Sequence, residues 1–296
     1  MLSCKSKIHD KILTICFILT FCQISICPQD NQIEKDDVKI PLHLQLSSLE
    51  AKQNDFSIFL DDGLNLATAP FSFTSTDWLK TGALVIATGL AFSLDPKIKE
   101  SVTHQRSASF DNVTGYGEKY GSISYAGIFA GGMYLTGKIL GDKNISTTGR
   151  MLVESVLYTG LTVSLVKYAV GRSRPYTNEG PSDVFAYTFQ ESNVSFPSGH
   201  TAIAFTVSTV LSRRINNPFA SIALYGLAGF TGYQRIYDDK HWFSDVFIGA
   251  AIGYFIGNSI VDSEENRSSK NNFLSDVTVM PTLSSGGVGL SLHLDF

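Results

Sequence analysis

Between Trp78 and Val261 the chain is a succession of apolar runs, rich in Gly and Ala, broken by short polar stretches. Runs of that length and period are met by helices packed on one another. They predict an all-α fold with six helices, over 78–94, 121–138, 151–170, 201–213, 218–235 and 243–261. A polar stretch over 95–120, opened by Asp95 and Pro96, separates the first two. Gly249, Gly253 and Gly257 fall at helical spacing and allow two helices to approach closely, in water or in lipid alike.

The flanks differ from this middle. Lys5, Lys7 and Lys11 precede an apolar run from Ile12 to Cys27, and Pro28, Gln29 and Asp30 then turn polar. That order predicts a secretory signal peptide over 1–27, with an uncleaved N-terminal anchor as the alternative. Cys4, Cys16, Cys22 and Cys27 all lie in this leader, so the body has no disulfide framework, thiolate metal site or cysteine nucleophile. Cys27 stands in a loose lipoprotein-like box, which the bulk of Ile26 argues against. Residues 28–77 form a polar linker or docking segment in which Asp61, Asp62 and Gly63 predict a turn. Residues 263–296 predict a linker and a short C-terminal β-hairpin that turns at Ser284 to Gly287. The helical domain is then 78–262.

Charge narrows the partners. Lys and Arg number 23 against 27 Asp and Glu, a net charge of -4, which argues against nucleic acid. With 44% hydrophobic and 17% charged residues, the chain buries a large core.

Three clusters carry chemistry. In the first, Lys167 closes an apolar helix, Gly171 lets the backbone leave it, and Arg172, Ser173, Arg174 and Pro175 follow. Cations gathered at a helix end suit an oxyanion or simply complement the helix dipole. In the second, Ser195 to Thr201, Ser198 can cap the following helix, Gly199 permits close backbone approach, and His200 sits in the first turn. The free amides of a helix start make an anion site. In the third, Arg235 precedes His241 and Asp245, which are four apart and share a face if a helix begins near His241. A carboxylate on one imidazole nitrogen leaves the other free as nucleophile or base.

Helix direction joins the three. The first cluster ends a helix, the second starts one, Arg235 ends the next and His241 starts another. In an up-and-down bundle all four places fall at one end. Lys138, Lys143, Arg150, Arg213 and Arg214 gather at the other.

Lys167 with Arg174-Pro175, the run Pro197-Ser198-Gly199-His200, and Arg235 with His241 and Asp245 resemble, in this order, the type-2 phosphatidic acid phosphatase and vanadium haloperoxidase superfamily. The resemblance implies a six-helix bundle of that kind and a metal-independent phosphatase without a cofactor, working through a phosphohistidine. Carried to matching positions, it implies His241 as nucleophile, Asp245 orienting it, and His200 as acid and then base. Lys167, Arg174, Ser198, Gly199 and Arg235 would bind the phosphate. Where the family commonly has Ser before the arginine of its third motif, this chain has Gln234, whose replacement by Ala is expected to cost little. Arg172 and Lys240 fall outside the motif positions and count as local charge.

The expected substrate is a phosphorylated lipid, since apolar helices accompany aromatic residues Phe185, Tyr187, Phe189 and Trp242 near the active end. A soluble, exported acid phosphatase acting on small phosphate esters is the alternative, and a vanadium haloperoxidase a more distant one. The expected location is the periplasm or cell envelope, with the bundle resting on or partly embedded in a membrane. The alternative is an integral multi-pass protein.

Overall fold

A computed structural model describes residues 44–45, 54–103, 107–275, 277–284 and 287–294. The leader, with Cys27, and Ser285 and Gly286 of the expected hairpin turn lie outside them. Eight α-helices occur among the described residues: α1 (Asp55–Thr68), α2 (Ser75–Thr103), α3 (Ala108–Gly121), α4 (Ile123–Leu140), α5 (Lys143–Val170), α6 (Gly199–Ile215), α7 (Pro218–Tyr237) and α8 (Phe243–Ser275). Strands β1 (Leu44–Gln45), β2 (Val277–Ser284) and β3 (Gly287–Leu294) form an antiparallel sheet in that order, with Val279 paired to Leu44 on one side and Leu292 on the other.

The helix count therefore rises from the expected six to eight. Helix α1 begins where Asn54 caps it, its Oδ1 accepting from the Ser57 amide at 2.7 Å. The expected turn at Asp61 to Gly63 lies inside this helix. Buried Asp62 there accepts both Nη groups of Arg267, at 2.6 and 2.9 Å, tying α1 to the far end of α8. Helix α3 occupies the later part of the stretch read as polar. Gly117 and Gly121 weaken it as an isolated helix, but they are its packing surface: a Cβ at Gly121 would lie 2.5 Å from the His200 carbonyl oxygen. Helix α2 runs on through Pro96 instead of ending there.

The break between α4 and α5 is also shorter than expected. Gly141 adopts a left-handed conformation at φ 71°, and Asp142 at once caps α5 by accepting from the Asn144 and Ile145 amides. Glu154 is thus in the interior of α5 and not near a helix start. It is buried and receives Arg150 Nη1 at 2.8 Å.

Helix α6 is the hub of the bundle. Its Ile203, Val207 and Val210 pack with Met151, Leu152 and Val156 of α5 and Ile260 and Val261 of α8. The glycine stripe on α8 faces α6, where a Cβ at Gly253 would come within 2.1 Å of the Ala202 carbonyl oxygen. Hydroxyl residues fill much of the rest: Ser155, Thr159, Thr206, Ser208, Thr209 and Thr231 are all wholly buried. Outside, Ile128, Leu135, Leu157, Leu161, Leu165 and Ile222 are exposed. Branched apolar residues thus occur both in the core and on the outer faces of the bundle.

Candidate active site

Backbone hydrogen bonds stitch the three clusters together. Helix α5 stops at Gly171, which is left-handed at φ 63° and donates to the Lys167 carbonyl at 2.9 Å. A side chain there is excluded twice, since a Cβ would also lie 1.9 Å from the Phe185 carbonyl oxygen. Beyond it, the Arg174 amide donates to Ser192 O at 2.8 Å, and Arg172 O accepts from the Ser195 amide at 2.9 Å. Ser198 N donates to Asp245 O at 3.0 Å, and Trp242 Nε1 donates to Ser173 O at 2.8 Å. Segments remote in sequence are thereby fixed in one wall.

Cations line that wall. Lys167 reaches across to donate to the Val194 carbonyl, and its stem packs beside Gly199. Arg235, buried in the last turn of α7, donates through Nε to Gln234 Oε1 at 2.7 Å, and its Nη2 lies 3.6 Å from Glu118 of α3. Arg174 sits 3.9 Å from the exposed Glu191, while its buried Nε makes no hydrogen bond within the protein. A buried guanidinium N–H without a partner is costly unless an anion meets it.

The second cluster supplies a helix start. Ser198 is buried and caps α6, its Oγ 2.9 Å from Thr201 Oγ1 and 3.5 Å from the Thr201 amide. Gly199 and His200 follow in the first turn, where amides have no intrahelical acceptor. His200 lies in the field of Arg235, Lys167 and Arg174.

His241 stands in the loop just ahead of α8, its amide donating to Arg235 O at 3.2 Å. The imidazole is buried, with Nδ1 3.6 Å from Asp245 Oδ2. Burial, aided by Lys167 and Arg174 and opposed by Asp245, pushes its pKa down to about 3. It is therefore neutral over the ordinary pH range, as a nitrogen nucleophile must be.

All eight residues expected to form the site thus lie along this wall: Lys167, Arg174, Ser198, Gly199, His200, Arg235, His241 and Asp245. The structure also brings in residues that sequence reading set aside. Arg172, read as local charge, is buried and donates through Nη1 to Asp245 Oδ1 at 2.5 Å. Ser195 Oγ and the Trp242 amide donate to Asp245 Oδ2, at 2.5 and 2.9 Å. Gln234, expected to matter little, is buried and accepts from Arg235 Nε. Lys240 stays peripheral, 5.0 Å above the Tyr176 ring. Of the expected entry aromatics, Trp242 is buried in the wall, whereas Phe185, Tyr187 and Phe189 are exposed, Phe189 stacking on Tyr168 at 4.8 Å. Among the described residues no group of three or more His, Cys, Asp or Glu is placed to hold a metal ion.

The sequence pattern of the PAP2 superfamily matches residues 149–268, a stretch that contains all eight of these residues. A "Lipid A 1-phosphatase" of Porphyromonas gingivalis is 32% identical over 231 residues, covering 74% of this chain and 46% of that protein. A "Lipid A 1-phosphatase" of Rhizobium etli is 30% identical over 114 residues, covering 37% and 47%. The chain spans about half the length of these curated relatives. Among solved structures, LpxE of Aquifex aeolicus aligns with a TM-score of 0.45 and 26% identity, over 57% of this chain and 95% of that one. Residues 149–268 form a PAP2 superfamily domain.

Proposed function

We propose that this protein is a lipid phosphate phosphatase that hydrolyses a phosphate monoester, with a lipid A-type glycolipid as its substrate. The observation that carries the reading is the single wall on which Lys167, Arg174 and Arg235 meet the capped start of α6 and the neutral imidazole of His241. Three cations and first-turn amides match the nonbridging oxygens of a phosphate and strengthen as charge develops on them.

Nδ1 of His241 is turned toward Asp245, so Nε2 attacks phosphorus while the P–O bond to the lipid breaks. His200, held protonated by the bound phosphate dianion, gives its proton to the departing oxygen. The phosphohistidine carries positive charge on the ring, which Asp245 stabilises. Water, deprotonated by His200, then attacks phosphorus, and His241 and inorganic phosphate are released. Neither step calls on a metal, because the protein cations balance the phosphate charge. Within this reading, α2 to α8 form the catalytic bundle; α8 runs unbroken to Ser275, so the linker expected from residue 263 is helical there, and β2 and β3 follow it.

The lipid substrate is supported by the names of the relatives and by the outer surface of the bundle. Exposed Leu157, Leu161 and Leu165 recur every fourth residue along α5 and form an apolar stripe that the described residues leave largely uncovered. Tyr168, Tyr187 and Phe189 cluster at the active end, where aromatic residues anchor a protein at a membrane surface. One helix, Phe243–Lys270, is long and apolar enough to cross a bilayer by itself. The exposed Leu and Ile residues on the outer faces favour the multi-pass reading over a bundle resting on the surface. The active end would face outward in the cell envelope, and Lys138, Lys143, Arg213 and Arg214 inward.

The test is phosphate release by detergent-purified protein from lipid A, other phosphorylated lipids and p-nitrophenyl phosphate. Release from lipid A and not from p-nitrophenyl phosphate is expected. Equal turnover of small esters in water would favour the exported soluble acid phosphatase, and retention in the membrane pellet on alkaline extraction would count against it.

A further inference from the structure

Asp95 lies on α2, outside the stretch that matches the PAP2 superfamily, and its side chain is wholly buried. Its Oδ1 accepts from the Ser244 amide at 2.8 Å, and its Oδ2 from Ser244 Oγ at 2.6 Å and Arg172 Nη2 at 2.7 Å. Arg172 is shared. Its Nη1 donates to Asp245 Oδ1 at 2.5 Å and to Ser244 Oγ at 2.8 Å, and its Nε to Pro181 O at 2.7 Å. The guanidinium lies 4.5 Å from the centre of the Phe92 ring, so hardly any water reaches it. One buried cation thus stands between two buried carboxylates, and only one of these faces His241.

We propose that Asp95 is a positioning residue of the active site, acting through Arg172 and Ser244 on the Asp245 carboxylate behind His241. This inference rests on the phosphohistidine reading given above. Two physical effects support it. First, a guanidinium paired with Asp245 alone would cancel the charge that the phosphohistidine ring needs opposite it. A second carboxylate on the same guanidinium leaves the trio with a net negative charge. Second, Asp95 caps the start of α8 by holding the Ser244 amide, so it fixes where the helix begins and thus how Asp245 stands relative to His241. Helix α2 then completes the site and does more than flank the bundle.

The test uses the full-length protein in detergent with its lipid substrate. Asp95→Asn keeps the shape and removes the charge. Its kcat should fall about 10–100-fold with KM within about twofold, because the phosphate ligands are untouched. On an Asp245→Asn background the same change should cost less than about twofold more, since its route of action is already gone. Loss of packing alone would multiply in full on that background. A kcat for Asp95→Asn within twofold of the parent, or full multiplication with Asp245→Asn, overturns the proposal. If Asp95→Asn does not yield folded protein, Ser244→Ala decides. It removes the hydroxyl shared by Asp95 and Arg172, and should lower kcat about 3–10-fold at constant KM; an unchanged kcat overturns the proposal. A parent protein that releases no phosphate, or a His241→Ala variant as fast as the parent, overturns the phosphatase reading itself. A working parent matched by Asp95→Asn overturns only the positioning role.

Discussion

The Arg172 guanidinium donates at 2.5 Å to one oxygen of the Asp245 carboxylate, while the other oxygen stands 3.6 Å from His241 Nδ1. The carboxylate is thus gripped from behind, and the oxygen that faces the imidazole is itself held by Ser195 Oγ and the Trp242 amide. The grip extends to the phosphate ligands, because Gln234 does the same for Arg235.

Gln234→Ala frees Arg235 Nε from its 2.7 Å partner. The guanidinium stays charged but loses its fixed direction. KM should rise about 5–20-fold, with a smaller fall in kcat, in steady-state assays of phosphate release. Unchanged kinetics would mean that Arg235 is oriented by Glu118 and Asp238 instead.

The close approach of α6 and α8 makes a second prediction. Gly253→Ala puts a methyl group 2.1 Å from the Ala202 carbonyl oxygen, so the helices must part. The helix pair also carries Ser198 and Asp245, and both thermal stability and activity should drop, stability by about 1–3 kcal/mol. Gly226→Ala, on the open face of α7 with nothing within 4 Å, should be neutral or stabilise by up to about 1 kcal/mol. Thermal unfolding in detergent compares the two.

Asp62→Ala should leave activity intact while lowering stability, since the Asp62–Arg267 pair lies at the end opposite the site. Arg267 would be left without its bidentate partner. Its side chain is 20% exposed, so the loss should be about 2–3 kcal/mol, below the ~3–5 kcal/mol of a fully buried pair. A thermal midpoint equal to that of the parent would contradict this.

Acid should destabilise the protein through His241. Its pKa is about 3 in the folded state and near 6.5 when unfolded. Between these values the unfolded chain binds a proton that the folded one refuses. The stability is thus fully present above about pH 6.5 and is lost as pH falls toward 3, by about 1.4 kcal/mol per unit. His241→Gln lacks this slope, and the gap between its midpoint and that of the parent should shift in its favour from pH 7 to pH 5.

The meeting of the three clusters was legible because each brought its own helix end: Gly171 stops α5, Ser198 caps α6, and His241 precedes α8. Helix direction then placed them together without any tertiary knowledge. Arg172, Asp95 and Gln234 were not legible in the same way. A buried ion triad joins residues 77 and 73 positions apart, and nothing in local sequence distinguishes such an arginine from surface charge. Helix α3 was missed because its glycines lower intrinsic propensity, while their value lies in contact with α6 and α7. Helix α1 was missed because Asp61 and Asp62 resemble turn residues until Arg267 arrives from the far end of the chain.

The central claim is a phosphorus–nitrogen bond at His241. It is tested most directly by rapid quenching of the protein with a phosphorus-labelled lipid substrate and mapping of the labelled peptide. An acid-labile, alkali-stable label on the segment between Arg235 and Asp245, lost in His241→Ala, is the result predicted. Turnover with no protein-bound label, or a label on another residue that survives in His241→Ala, would contradict it.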